Sequence, residues 1–263
     1  MKVIRRLGRR TIESVVMAAE AGLQAVGVPS PSALLLLGHM RSGSTLLLHL
    51  LMTNPDVSAL GERGVVYASR ADLARLAIAW RMARRSPFQR LRYVADQVNH
   101  NHLTPNSRLL RDPRVRILFL LRRPELTIAS ILELYRTHYR QAWSPSQAVD
   151  YYVERLDALT ELGESLANPI CAALIPYEAL TDLPQDTLEA LRVFLGLERG
   201  FTQTYSTHSF TGKHGDPGPN IAAGRIIHKA PTTQARLNVS ELERASRAYD
   251  RCRRALARFG LHV

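Results

Sequence analysis

An α/β fold, with a P-loop-like central parallel sheet flanked by helices and some extra helical segments, follows from three observations. Unbroken apolar runs at residues 33–37, 115–121 and 170–175 read as strands buried on both faces. Amphipathic stretches of helical period alternate with them, which is the pattern of a mostly parallel sheet. Between the first run and its helix lies a tight polar loop, Gly38-His-Met-Arg-Ser-Gly-Ser-Thr45, with the strand–loop–helix layout of a phosphate-binding loop.

The elements are taken in order. Residues 3–26 form an amphipathic helix, with Val3, Ile4, Leu7, Ile12, Val15, Val16 and Ala19 roughly on one side. Such a helix either packs on the domain or lies on lipid. Val28-Pro-Ser-Pro-Ser32 is an extended connector into the first strand. The helix that follows, 45–53, stops before Asn54-Pro55. A short strand is expected at 57–60. Helix 66–85 is expected to turn Arg70, Arg75, Arg81, Arg84 and Arg85 to water. Strand 91–98 leads to the polar run Asn99-His-Asn-His102, and Pro124 after strand 115–121 suits the first turn of a helix reaching about residue 140. Helix 146–166, strand 170–175 and helix 183–195, closed by Gly196, come next. Residues 200–224, rich in Gly, Pro, Ser and Thr, read as a long functional loop. Ser240 with Glu243 forms a capping box that opens the terminal helix, 240–260.

At 263 residues and 46% apolar, the chain buries one core as a single domain, 1–263: the N-terminal helix (1–30), a core (33–225) and the C-terminal helix (240–260). The formal charge of +12 suits a polyanionic ligand, nucleic acid or an acidic membrane surface, or is simply a solvated basic face. The two cysteines make no disulfide framework. Cys171 lies in an apolar run and reads as core, Cys252 lies in a basic helix, and the pair fits a reducing cytoplasm. No segment reaches the length of a membrane span, and the basic N-terminus is not followed by the apolar core of a signal peptide. The expectation is a cytoplasmic protein with possible peripheral membrane contact through that terminus. No repeat and no nucleic-acid motif with interleaved aromatics is present, so no nucleic-acid partner is expected.

The loop departs from the usual phosphate loop in one respect. Gly38 and Gly43 keep the spacing and Thr45 its hydroxyl, but Ser44 stands in the lysine position and the cation comes earlier, as Arg41. An anion fits there, while ordinary ATP hydrolysis lacks its lysine. A second site follows strand 115–121, where Arg122 ends the strand and Ser130 lies in the next helix. An Arg fork and a hydroxyl suit a phosphate monoester.

Taken together, these motifs resemble those of the sulfotransferases that use 3′-phosphoadenosine 5′-phosphosulfate (PAPS). Arg41-Ser-Gly-Ser-Thr45 resembles their 5′-phosphosulfate loop. Arg122-x-Pro with Ser130 resembles their 3′-phosphate motif. Pro176-Tyr-Glu-Ala-Leu180 followed by Phe194-Leu-Gly-Leu197, and Gly212-Lys-His-Gly-Asp216, are similar to two later segments of the family, and the likeness spans residues 33–225. The resemblance implies that Ser42, Gly43, Ser44 and Thr45 bind the phosphosulfate at a helix N-terminus. Arg41 would neutralise charge on the departing bridging oxygen. Arg122 and Ser130 would hold the 3′-phosphate, Tyr177 would lie near the adenine, and Lys213 and Gly215 would serve the 3′-phosphate side. No metal is called for. The product would be 3′-phosphoadenosine 5′-phosphate (PAP), and the acceptor a small molecule, glycan or lipid.

Transfer of a sulfuryl group needs a base for the acceptor proton. Glu62, in Asn54-Pro-Asp-Val-Ser-Ala-Leu-Gly-Glu62, resembles the carboxylate base of the bacterial and Golgi-type branch, and His100 matches the histidine base of the cytosolic aryl branch. Glu62 is the first choice, with a helix cap as its plainer role. His39 and His102 read as structural or substrate-lining. Gln97 stands where relatives carry a lysine that touches the sulfonate, and Leu46 where cytosolic relatives stack an aromatic on adenine. The bacterial carbohydrate or lipid branch is therefore the nearest in pattern. Two alternatives stay open: a P-loop nucleotide-dependent kinase, and a basic module that binds nucleic acid or membrane.

Overall fold

The protein is described from a computed structural model, which covers residues 2–85, 88–139, 141–166, 169–213, 216, 218, 220–227 and 237–261, with side chains from residue 11 onward except at 169. Five parallel strands form one sheet in the order β2-β3-β1-β4-β5: β1 (Ser32–Leu37), β2 (Val57–Ala59), β3 (Tyr93–Val98), β4 (Val115–Leu121) and β5 (Ala172–Pro176). Leu35 of β1 is in register with Asp96 on one side and Ile117 on the other, which makes β1 the central strand. The chain runs from β1 outward to β2, back to β3, then across β1 to β4. That reversal opens a crevice at the carboxyl ends of β1, β3 and β4.

Both faces of the sheet are covered, which is why its strands are apolar without alternation. Ala33, Leu35, Leu37, Ile117 and Phe119 face α3 (Arg70–Arg84), α4 (Pro124–Thr137), α5 (Pro145–Ser165) and α8 (Val239–Leu256). Leu34, Leu36, Leu118 and Leu120 face α2 (Ser44–Leu51), α6 (Tyr177–Asp182), α7 (Pro184–Leu195) and the loop bearing Tyr205 and Phe210. The α5–α8 pair is laced by exposed ion pairs, Arg244 to Asp150 at 2.5 Å and Arg251 to Asp157 at 2.9 Å. Each contributes under about 1 kcal/mol, but together with Arg247–Glu243 they account for part of the basic face of α8. Pro124 does begin α4, and Gly196 closes α7 with φ 61°.

Several details differ from the sequence reading. Arg81 is buried, not wet, because its guanidinium donates to the carbonyls of Gln89 and Pro29 at 2.9 and 3.0 Å. Asn238 caps α8 in place of Ser240: its side chain accepts from the Glu241 N–H, Glu241 reaches back, and Ser240 Oγ merely donates to Asn238. Cys252 is the core cysteine and Cys171 only half-buried, since Ile170 and Cys171 lie in a 3₁₀ turn ahead of β5. Helix α3 starts later than expected because the Ser69–Asp72 capping box sets its first turn. The N-terminal helix is α1 (Lys2–Ala25), and in its second half Ile12, Val15 and Ala19 are exposed rather than packed.

Candidate active site

The carboxyl ends of the strands surround an open cavity of about 960 Å³, lined by residues of every strand-end loop. The loop after β1 is shaped by local backbone chemistry. Arg41 and Gly43 both take left-handed conformations, φ 63° and 93°, and α2 then starts at Ser44. A Cβ on Gly43 would meet the Tyr177 ring at 2.3 Å, so both its conformation and that close approach require glycine. The backbone N–H groups at the start of α2 have no intrahelical acceptors, an arrangement that favours an anion.

The two sequence motifs meet at Arg41. Its Nε donates to Ser130 Oγ at 2.8 Å and its guanidinium pairs with the Asp216 carboxylate at 2.6 Å. Arg122 donates to the Arg41 carbonyl at 3.0 Å and lies over the Tyr177 ring, 4.3 Å from its centre. Its own Nε is buried without a hydrogen-bond partner, a donor aimed at no protein group. Asp216 also donates its backbone N–H to Thr45 Oγ1 at 3.0 Å, so a carboxylate and a loop amide from the 200–224 segment already rest on the phosphate-type loop. Ser42 is wholly buried beneath that loop rather than lining the cavity. Lys213 is exposed and is not among the lining residues, and Gly215 lies outside the described residues.

The two candidate bases turn out to be neighbours. Glu62, on the loop after β2, has Oε1 3.8 Å from His100 Nε2 and accepts from Asn99 Nδ2 at 3.4 Å. Asn99 also donates to Ser44 Oγ at 3.1 Å, tying the loop that bears Glu62 to the start of α2. Burial, with the positive fields of His102 and Arg155, lowers the pKa of His100, so it is neutral near pH 7 and able to accept a proton. Behind Glu62, Asp96 is fully buried within β3 and accepts from the Tyr67 hydroxyl at 2.5 Å and from the backbone N–H groups of Arg63 and Gln97. Desolvation raises Asp96 to about 7. Gln97 is buried under the loop, where its Oε1 accepts from Thr45 Oγ1 at 3.4 Å, and does not line the cavity.

Several supports escaped the sequence reading. Arg155 is buried in α5, with its bonds going to neutral acceptors: the Gly38 and Val98 carbonyls at 2.7 and 2.6 Å, Asn101 Oδ1 and Thr104 Oγ1. It sits on the same side as the buried Tyr152, Leu156 and Leu159, a charge inside an apolar stripe, which was the available signal. His39 is buried and neutral. Its Nδ1 lies 2.9 Å from the Met40 carbonyl, its Nε2 accepts from the Arg122 N–H, and desolvation takes its pKa down to about 3. His49 joins α2 to the 205–211 loop, through the Thr45 carbonyl and Thr211 Oγ1, both at 2.8 Å. On the far wall Tyr135 stacks on Trp143, with centroids 3.9 Å apart, and Tyr139 abuts Tyr135. Among the described residues no cluster of His, Cys, Asp or Glu is placed to hold a metal ion.

Comparison with known proteins bears on the fold. No protein-family model matches the chain, and no curated protein matches it significantly. Solved structures do. The chain is similar to sulfotransferase STF1 from Mycobacterium tuberculosis H37Rv, at 13% identity and a TM-score of 0.51, over 89% of this chain and 81% of that one. It is similar to the sulfotransferase domain from the curacin biosynthetic pathway, at 14% identity and a TM-score of 0.50, over 84% of this chain and 98% of that one. The five-stranded parallel sheet and its flanking helices thus match the sulfotransferase fold of these structures.

Proposed function

We propose that the protein is a PAPS-dependent sulfotransferase that transfers a sulfuryl group to a hydroxyl or amine of a small-molecule, glycan or lipid acceptor. One observation carries the reading most: Arg41 joins Ser44 and Thr45 on one side to Ser130 and Arg122 on the other, so both anion motifs open into one cavity. A donor with phosphate groups at both its 3′ and 5′ positions uses both ends of such a site, whereas ATP uses one. On this reading the 5′-phosphosulfate lies over the N-terminus of α2, in place of the Asp216 carboxylate. The 3′-phosphate lies between Ser130 and the unpartnered Arg122 Nε, and the adenine rests by Tyr177. The acceptor oxygen attacks sulfur, its proton passes to Glu62, and the bond from sulfur to the bridging oxygen breaks. PAP leaves with the electron pair, which Arg41 stabilises.

The test is a thermal-shift titration. PAP is expected to raise the melting temperature well above any shift produced by AMP or magnesium-ATP at equal concentration, since only a ligand that binds the folded state stabilises it. Equal stabilisation by magnesium-ATP with magnesium-dependent turnover of ATP to ADP would replace this reading with the kinase alternative.

A further inference from the structure

Residues 12–26 present their apolar side to solvent. Ile12, Val15, Ala19, Gly22 and Val26, spaced three and four apart, fall along one side, and all are exposed, Val15 by 63% and Val26 by 67%. The side that meets the domain carries Glu13, Val16, Glu20 and Leu23, with Glu20 buried and ion-paired to Arg114 at 3.2 Å. A helix that only packs on its own domain places these sides the other way round. The first ten residues add Lys2, Arg5, Arg6, Arg9 and Arg10 to the same helix.

A sided helix with clustered cations and low average hydrophobicity has the composition of one that lies in a lipid interface. Among the described residues no helix is long and apolar enough to cross a membrane. A second copy of the chain is a poorer occupant: parallel pairing would bring the cations together, and antiparallel pairing would leave them without counter-charge. An anionic bilayer supplies both the apolar layer and the counter-charge. We propose that α1 docks the protein on an anionic lipid surface, with the stripe from Ile12 to Val26 in the headgroup boundary and the cations at lipid phosphates. Arg114, which Glu20 grips, precedes β4, so the docked helix lies at the end of the sheet opposite the cavity and leaves it open. This inference does not depend on the sulfotransferase reading.

The experiment is co-sedimentation of the full chain with vesicles of phosphatidylcholine alone or mixed with phosphatidylglycerol, alongside light scattering of the protein without lipid. The full chain is expected to sediment with the anionic vesicles, to be released by salt, and to ignore the neutral ones. Ile12→Glu with Val15→Glu is expected to weaken sedimentation about tenfold or more, as is Arg5→Gln with Arg6→Gln and Arg9→Gln. The Ile12/Val15 variant should keep the melting temperature, since the altered stripe is solvent-facing. Undiminished vesicle binding by either variant overturns the proposal, as does no binding to anionic vesicles. A dimer in solution that the Ile12/Val15 variant dissociates would make a second copy the occupant and also overturn it.

Discussion

Arg41 holds a left-handed backbone, a conformation rare outside glycine that costs on the order of 1 kcal/mol or more. The strain places its guanidinium between Ser130 and Asp216, at the junction of the two anion motifs. Glu62 and His100 present a different problem at this scale, because two acceptors of a proton stand 3.8 Å apart. Under the proposed reaction, Glu62→Gln is expected to lower turnover about 10²–10⁴-fold while leaving the thermal shift by PAP intact. His100→Ala should keep most of the activity. Single-turnover rates and thermal shifts on the two variants check this, and the reverse pattern reassigns the base to His100. The strand–loop–helix that carries Arg41 and the strand end that carries Arg122 were readable because loop and strand-end chemistry is local. The contact of Asn99 with both Ser44 and Glu62 was not, since it links positions 55 and 37 residues away.

At the scale of elements, Arg155 of α5 holds two strand ends together. Its bonds to the Gly38 and Val98 carbonyls clamp β1 to β3 where the Gly38–Thr45 loop and the Asn99–His102 run begin. Arg155→Met would leave those buried acceptors without donors, at about 1–3 kcal/mol each. Urea unfolding should therefore show a loss of about 2–6 kcal/mol, with weaker PAP binding. A loss below about 0.5 kcal/mol, the size of an ordinary surface change, would mean that water replaces the guanidinium. Most strands and helices were readable from apolar period and from punctuation such as Pro124 and Gly196, and their ends shifted where a cap competed. Asn238 displaced Ser240 because its side chain reaches the Glu241 N–H at 2.8 Å.

For the whole molecule, two buried groups set opposing responses to pH. His39, lowered to about 3 in the folded state from 6.5, stays neutral when folded while the unfolded chain binds a proton, so stability falls as pH drops from about 6.5 toward about 3. Asp96, raised to about 7 from 3.8, binds its proton in the folded state, so its contribution is present at low pH and is lost as pH rises from 3.8 through about 7. Between about pH 4 and 6.5 the two slopes offset each other. Asp96→Asn removes one of them. The stability of that variant is expected to rise with pH through this interval, steeper than the native protein by up to roughly 1 kcal/mol per pH unit. Denaturant unfolding at three pH values measures it, and parallel curves for the two proteins would show that Asp96 is ionised throughout.

The amino-acid sequence by itself determined the fold class and the strand–loop–helix at Gly38–Thr45, because each depends on period or turn chemistry within a short stretch. Tertiary structure alone decided which charges are hidden and which apolar sides are bare. Arg81 and Arg155 are inside, while Ile12 and Val15 are outside. Period assigns residues to sides of a helix but does not say which side meets the domain. It was also the folding of distant segments onto one sheet end that brought Asp216 to Arg41, 175 residues away, and set Glu62 beside His100.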